Sequence, residues 1–211
     1  MAFPTTDSQD ELQAVNQILA SVGQAPVTTL EQTNPDVSIA LETLRQVSRE
    51  VQAEGWSFNR EYNYPLTADE AGVISIPPNT LQMDLSTDIY YNRDKDPVPR
   101  EGKLYDRISH SYVWEVGRTM YFDISWLWNF DDIPKVVRDY IVARAASFTA
   151  MRIVGDANLY STLQQQEQYM RSNAMEWETQ QGDYTFFGHP RGGNYYVSYK
   201  PYHALYRWCL L

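Results

Sequence analysis

Between Leu12 and Leu66 the chain carries two capped amphipathic helices in succession, a pair that dictates a helical hairpin. Ser8 followed by Glu11 makes a capping box, and Leu12, Val15, Ile18, Leu19 and Val22 recur at helical spacing until Gly23 stops the turn. Asn34 then offers a side-chain oxygen as N-cap, Pro35 fits the first helical position, and Asp36 suits the positive end of the helix dipole. Val37, Ala40, Leu41, Leu44, Val47 and Val51 give this second helix one apolar face, with Arg45, Arg49 and Glu50 toward water and Gly55 as the stop. Two such helices, joined by a short link containing Pro26, pack on each other.

The same stretch carries a specific wording: Ala14-Val15-Asn16, Gly23, Pro26-Val27, Asn34-Pro35-Asp36-Val37, Val51-Gln52 and Gly55-Trp56-Ser57-Phe58-Asn59. It resembles the tail tubular protein A family of T7-type short-tailed phages, the adaptor or gatekeeper proteins. Tyr105-Asp106, Ile133-Pro134 and the run from Ala143 to Phe148 extend the likeness over residues 10–180. The resemblance implies a non-enzymatic structural protein of the virion tail, made in the host cytoplasm. It further implies a ring of twelve copies between the portal protein and the tail nozzle, tail tubular protein B, with fibres at its outer side. Such a ring would extend the DNA channel, retain the packaged genome and take part in its ejection.

From Lys135 on, helix returns. Asp131-Asp132-Ile133-Pro134 has the form of a helix start, and Val136, Val137, Tyr140, Ile141, Ala145, Phe148, Met151 and Ile153 continue to Gly155-Asp156. A fourth helix is expected from Asn158 to Thr179, with Leu159, Leu163, Gln166, Tyr169, Met170, Asn173 and Trp177 along one side. That face is more polar than the others and suits a subunit contact.

Between the helical parts, two-residue alternation marks strands at Val73–Ile76, Ile89–Tyr91, Lys103–Tyr105, Ser111–Val116 and Thr119–Ile124. Turns fall at Pro77-Pro78, Asn92–Pro99 and Val116-Gly117-Arg118. Strands this short imply a small antiparallel sheet. The expected class is α+β: a four-helix bundle with a β insertion and an extended C-terminal tail. The divisions are 1–66 for the hairpin, 67–130 for the insertion, 131–179 for the remaining helices and 180–211 for the tail. With 211 residues and 43% hydrophobic content the chain can bury one sizeable core or two small ones that share a border.

Residues 180–211 hold Asp183 against Arg191, Lys200 and Arg207, a net +2 in a chain of −10. The tail also carries Tyr184, Phe186, Phe187, Tyr195, Tyr196, Tyr199, Tyr202, Tyr206 and Trp208 among glycines and prolines. Exposed rings are costly, each worth roughly 1.5–3 kcal/mol when buried, so such a tail calls for a partner. Aromatic anchors with a few arginines are what protein interfaces enrich, and the family resemblance assigns this segment to portal docking, with order gained on assembly. Folding back on its own subunit is the alternative.

The acidic body disfavours a conventional DNA-binding module and suits a channel wall past which a duplex slides without sticking. One cysteine, Cys209, excludes an internal disulfide framework, and no membrane-length apolar run occurs. His110, His189 and His203 are too scattered for metal-ligand spacing, and no established catalytic, metal or cofactor motif is present. Asn92-Arg93-Asp94-Lys95-Asp96 mimics the start of a calcium loop, but Pro97 and Lys103 occupy positions that need Gly and Glu. Asp131-Asp132 have the form of a carboxylate pair but are accounted for by a helix N-terminus, and Glu101 and Glu115, flanked by Tyr105 and Trp114, support a rival reading, a carbohydrate-degrading enzyme acting on the host-cell envelope. Trp56, Phe58 and Trp126-Leu127-Trp128-Asn129-Phe130 are expected to pack in a core or a subunit contact.

Overall fold

Helices α1 (Gln9–Ser21) and α2 (Pro35–Ala53) form the hairpin in the computed structural model, which describes residues 9–30, 34–86 and 95–181. Val15, Ile18 and Leu19 of α1 and the whole apolar set of α2 are buried, while Arg45, Arg49 and Glu50 face solvent. Asn34 caps α2 by accepting the Asp36 N–H at 3.0 Å. Gly55 ends the turn at φ +79°, in the left-handed region. The inter-helix link is tied back by Asn16, whose amide donates to the Val27 carbonyl at 2.9 Å and accepts the Val27 N–H at 2.8 Å. Ser8, the first half of the expected capping box, lies outside the described residues.

Helix α3 (Lys135–Ile153) runs through the middle of the bundle and packs on α1, α2 and α4. Its small residues, Ala145, Ala146, Ser147 and Ala150, are buried and permit close approach of its neighbours, whereas Met151 is 61% exposed. The expected cap is corrected in detail: Asp131 and Asp132 belong to a 3-10 turn (Phe130–Asp132), and Pro134 occupies the N-cap of α3 without a side-chain bond. Helix α4 spans Ala157–Gln181. Leu163 and Ala174 are buried and Met170, Asn173 and Trp177 half-buried, but Gln166 and Tyr169 of the expected face point to water.

The sheet lobe is antiparallel, as the short strands require. Strands β1 (Arg60–Thr67), β2 (Thr80–Leu85) and β5 (Thr119–Trp126) form one sheet in the order β1-β5-β2, and β3 (Pro97–Arg100) pairs with β4 (Lys103–Asp106) as a hairpin. Of the expected strands, Lys103–Tyr105 and Thr119–Ile124 are found. Val73–Ile76 is irregular with a single bridge at Ser75, Ser111–Val116 with one at Ser111, and Ile89–Tyr91 lies outside the described residues. Three strands arise where none was expected. Two of them contain proline: Pro65 lies in β1 and Pro97 and Pro99 in β3, and each strand pairs on one side only, where a missing N–H costs nothing to the ladder. The segment around Pro97-Pro99, expected as turn, is therefore strand. Between Glu61 and Tyr64 the β1–β5 register shifts by one residue, with Asn63 at φ +56° donating its N–H to Asp123 at 3.1 Å.

Two apolar cores result. One joins α1, α2, α3 and Trp56; the other joins Leu66, Ile74, Leu104, Trp114, Met120, Phe122, Ile124 and Trp126.

Candidate functional site

The wording Gly55-Trp56-Ser57-Phe58-Asn59 lies where the chain leaves α2 and enters β1, so it forms the joint between the two cores. Asn59 is its hub and is 1% exposed. The amide oxygen of Asn59 accepts the Trp56 N–H at 2.9 Å, and its nitrogen donates to the Gln52 carbonyl at 2.8 Å and to the Trp126 carbonyl at 2.9 Å. One side chain thus closes the end of α2 and holds the end of β5. The Asn59 backbone carbonyl also accepts the Trp126 N–H at 2.8 Å. Trp56 is buried beside Tyr140 of α3, at 6.4 Å between ring centroids, and its indole N–H reaches the Val51 carbonyl at 2.7 Å.

Gln52 repeats the pattern from the helix side. Fully buried, it accepts the Trp128 N–H at 2.8 Å and donates to the Trp128 carbonyl and to Ser48 Oγ, both at 3.1 Å. Glu178, near the end of α4, brings the last helix to the same joint: its carboxylate accepts the Ser57 N–H at 2.9 Å and the Ser57 hydroxyl at 2.8 Å. Charged hydrogen bonds of this kind, shielded from water, fix geometry strongly. The joint is rigid.

The tryptophan run completes it. Trp126 enters the sheet core, Phe130 enters the bundle core, and Trp128 between them is 40% exposed. Along α2 and α3 a polar seam adds to the bundle: Arg144 lies 3.4 Å from Glu50 and 3.6 Å from Glu54, and donates to the Tyr140 hydroxyl at 3.1 Å. Burial works against the Arg144 charge, yet the Tyr140 hydroxyl and the Glu167 and Glu50 carboxylates outweigh it and raise its pKa.

In the sheet lobe Asp106 is the strongest electrostatic feature. Burial opposes its charge, but the Ser109 hydroxyl at 2.7 Å, the Ile108 and Asp96 N–H groups and Lys95 at 3.3 Å prevail and lower its pKa to about 2. These bonds fold residues 106–111 into turns and explain why no strand forms at Ser111.

The other candidates are scattered. Glu101 occupies the tip of the β3–β4 hairpin at φ +51°, and Glu115 lies in the turn before β5 within 3.7 Å of Arg118; both are exposed. Their aromatic neighbours do not form a platform: Trp114 is buried, and Tyr105 packs edge-on against Tyr112 and under Arg100. Asp96, from the calcium-like segment, is engaged by Arg107 in paired bonds of 2.8 and 2.9 Å. Pro35 and Asp36 stand in the first turn of α2, and Phe58 packs half-buried on the bundle core. His189, His203, Cys209 and the tail residues from Tyr184 to Trp208 lie outside the described residues. Sequence reasoning missed the roles of Gln52 and Glu178. Gln52 gave a signal, a polar residue four positions after Ser48 on the buried side of α2; Glu178 gave none, because its partner is distant in sequence.

The family model described as tail tubular protein matches residues 12–184, and so covers the bundle, the joint and the sheet lobe. The chain is also 27% identical over 168 residues to Tail tubular protein A of Klebsiella phage KP34, an alignment covering 75% of this chain and 82% of that protein.

Proposed function

Because the chain belongs to the tail tubular protein family and is a structural phage tail protein, we propose that it is the adaptor ring that joins portal to tail nozzle. Twelve copies would close through heterologous contacts, each subunit presenting one face to the next subunit's different face. The tail rings from Tyr195 to Trp208, with Arg191, Lys200 and Arg207, anchor the ring on the portal. The sheet lobe and the outer helices offer surfaces for the nozzle, tail tubular protein B, and for fibres. The acidic body lets passing genomic DNA slide, because a wall of like charge gives phosphate no place to bind. No cofactor or metal takes part, and among the described residues no helix is long and apolar enough to cross a membrane. Synthesis in the host cytoplasm precedes assembly into the virion tail.

The observation that carries this reading is the joint. A ring that transmits load from portal to nozzle needs subunits whose two lobes do not swing, and Asn59, Gln52 and Glu178 lock them at one place. Light scattering and negative-stain microscopy of the full chain, alone and with the portal, provide the test. Rings that attach to the portal for the natural chain, but not after Tyr195, Tyr196, Tyr199 and Tyr202 are changed to Ser, are the expected result. A monomer with no affinity for the portal would overturn it.

A further inference from the structure

Between the N-terminal part of α3 and the C-terminal part of α4 lies a groove of about 320 Å³. Its lining combines the apolar Val136, Met170 and Trp177 with the amides Asn173 and Gln180 and the acids Asp139 and Glu176. Trp177 and Met170 are only half-buried on the bundle core, so their outer surfaces are open to a further apolar group. Asp139 is held by Lys135 at 2.8 Å, which leaves Glu176 as the lining acid on α4.

We propose that in the unassembled chain this groove receives the first aromatic cluster of the chain's own tail, Tyr184, Phe186 and Phe187. Three observations point to that occupant. The chain leaves α4 at Gln181, next to the lining residue Gln180, so the following residues start beside the groove. Length is sufficient: six residues from Gln181 to Phe187 can span up to about 20 Å when extended, while the groove side of α4 from Gln180 back to Met170 measures roughly 15 Å. Gly182, next after the helix, has no Cβ to oppose a reversal over the helix end. Chemistry matches as well. Met170 and Trp177 offer sulfur and ring contacts to phenylalanines, Asn173 and Gln180 can pair with a tyrosine hydroxyl, and Arg191 follows in reach of Glu176. Tethering makes the contact intramolecular, so a small groove suffices where a separate peptide would not hold. The rings from Tyr195 onward are left for a partner.

The test uses the purified full chain with no portal present, so its outcome is independent of the adaptor reading. A photo-reactive benzoylphenylalanine replaces Phe187, and an equal mixture of light and 15N-labelled chain tells attachment within one chain from attachment between two. Attachment to residues 136–139 or 170–180 of the same chain is expected, with a several-fold lower yield in Asn173→Trp, which fills the groove. Attachment elsewhere, between copies, or to nothing overturns the proposal. Phe186→Ser with Phe187→Ser gives a second reading that leaves α4 unchanged. Several-fold faster hydrogen exchange across residues 170–181 is expected, and unchanged exchange overturns the proposal.

Discussion

The bundle and the sheet lobe are held by different forces. In the bundle, α2 alone buries Val37, Ala40, Leu41, Leu44, Val47 and Val51 against α1 and α3, with Thr43, Ser48 and Gln52 as the polar side chains buried among them. In the sheet lobe the strands are four to eight residues long, and carboxylates shape the turns between them. Asp69 accepts the N–H groups of Ala71 and Val73 at 3.0 and 2.8 Å, and Asp106 gathers four donors within 3.3 Å. Gly72 allows that packing, since a Cβ there would meet the Trp114 carbonyl at 2.6 Å. Apolar burial needs no exact partner, whereas a carboxylate turn depends on each donor and on the charge. The two lobes should therefore fail under different insults.

The largest effect is expected in the bundle. Leu44→Ala, at a site 1% exposed, should cost about 3 kcal/mol by lost burial and a cavity, read as a lower denaturation midpoint. The difference between lobes would collapse if exchange in the sheet rose as much as in the helices without loss of the joint. Asn59→Ala comes next. It takes the side-chain partner from the Trp56 N–H and the Trp126 carbonyl, while the Gln52 carbonyl keeps the Gly55 N–H at 3.2 Å, for about 2–3 kcal/mol. It should also let the lobes unfold in two steps where the natural chain unfolds in one, which calorimetry would resolve.

The third test separates the lobes by pH. With its pKa lowered from 3.8 to about 2 in the fold, ionised Asp106 contributes stability that is complete above about pH 4. That stability is lost as the pH falls toward 2, a change of about 2 kcal/mol. Hydrogen exchange at residues 96–111 should accelerate over that window while α2 stays protected. Asp106→Asn should make the same segment exchange faster at neutral pH and remove the extra acid sensitivity. Equal acid response in both variants would remove Asp106 from its assigned role.

The same contrast explains what sequence could and could not reveal. Helices α1 to α4 were legible because caps and a 3.6-residue period are local signals, as Asn34, Pro35 and Gly55 illustrate. Strands β1 and β3 were not, since their prolines argue against strand until the partner on one side only is known. At the joint, the wording around Trp56 marked the place, but the bonds from Asn59 to Trp126 and from Ser57 to Glu178 span 67 and 121 residues. No periodicity in the sequence encodes contacts at that separation. The tail could be read only as composition, and it lies beyond the described residues.

The smallest stability effect is expected on the outer side of α4, and it carries the most functional weight. Tyr169 is 64% and Met175 48% exposed, on a helix of 25 residues of which only Leu163, Ala174 and Glu178 are buried. Changing both to Ser should move the denaturation midpoint by no more than about 0.5 kcal/mol, because surface positions that touch nothing rarely contribute more. If α4 supplies one half of a heterologous ring contact, the same variant should shift light-scattering mass from ring to monomer. A variant that keeps both its stability and its rings would place the contact on another face. Loss of rings at unchanged stability would show that a helix weakly committed to its own core is committed to its neighbour.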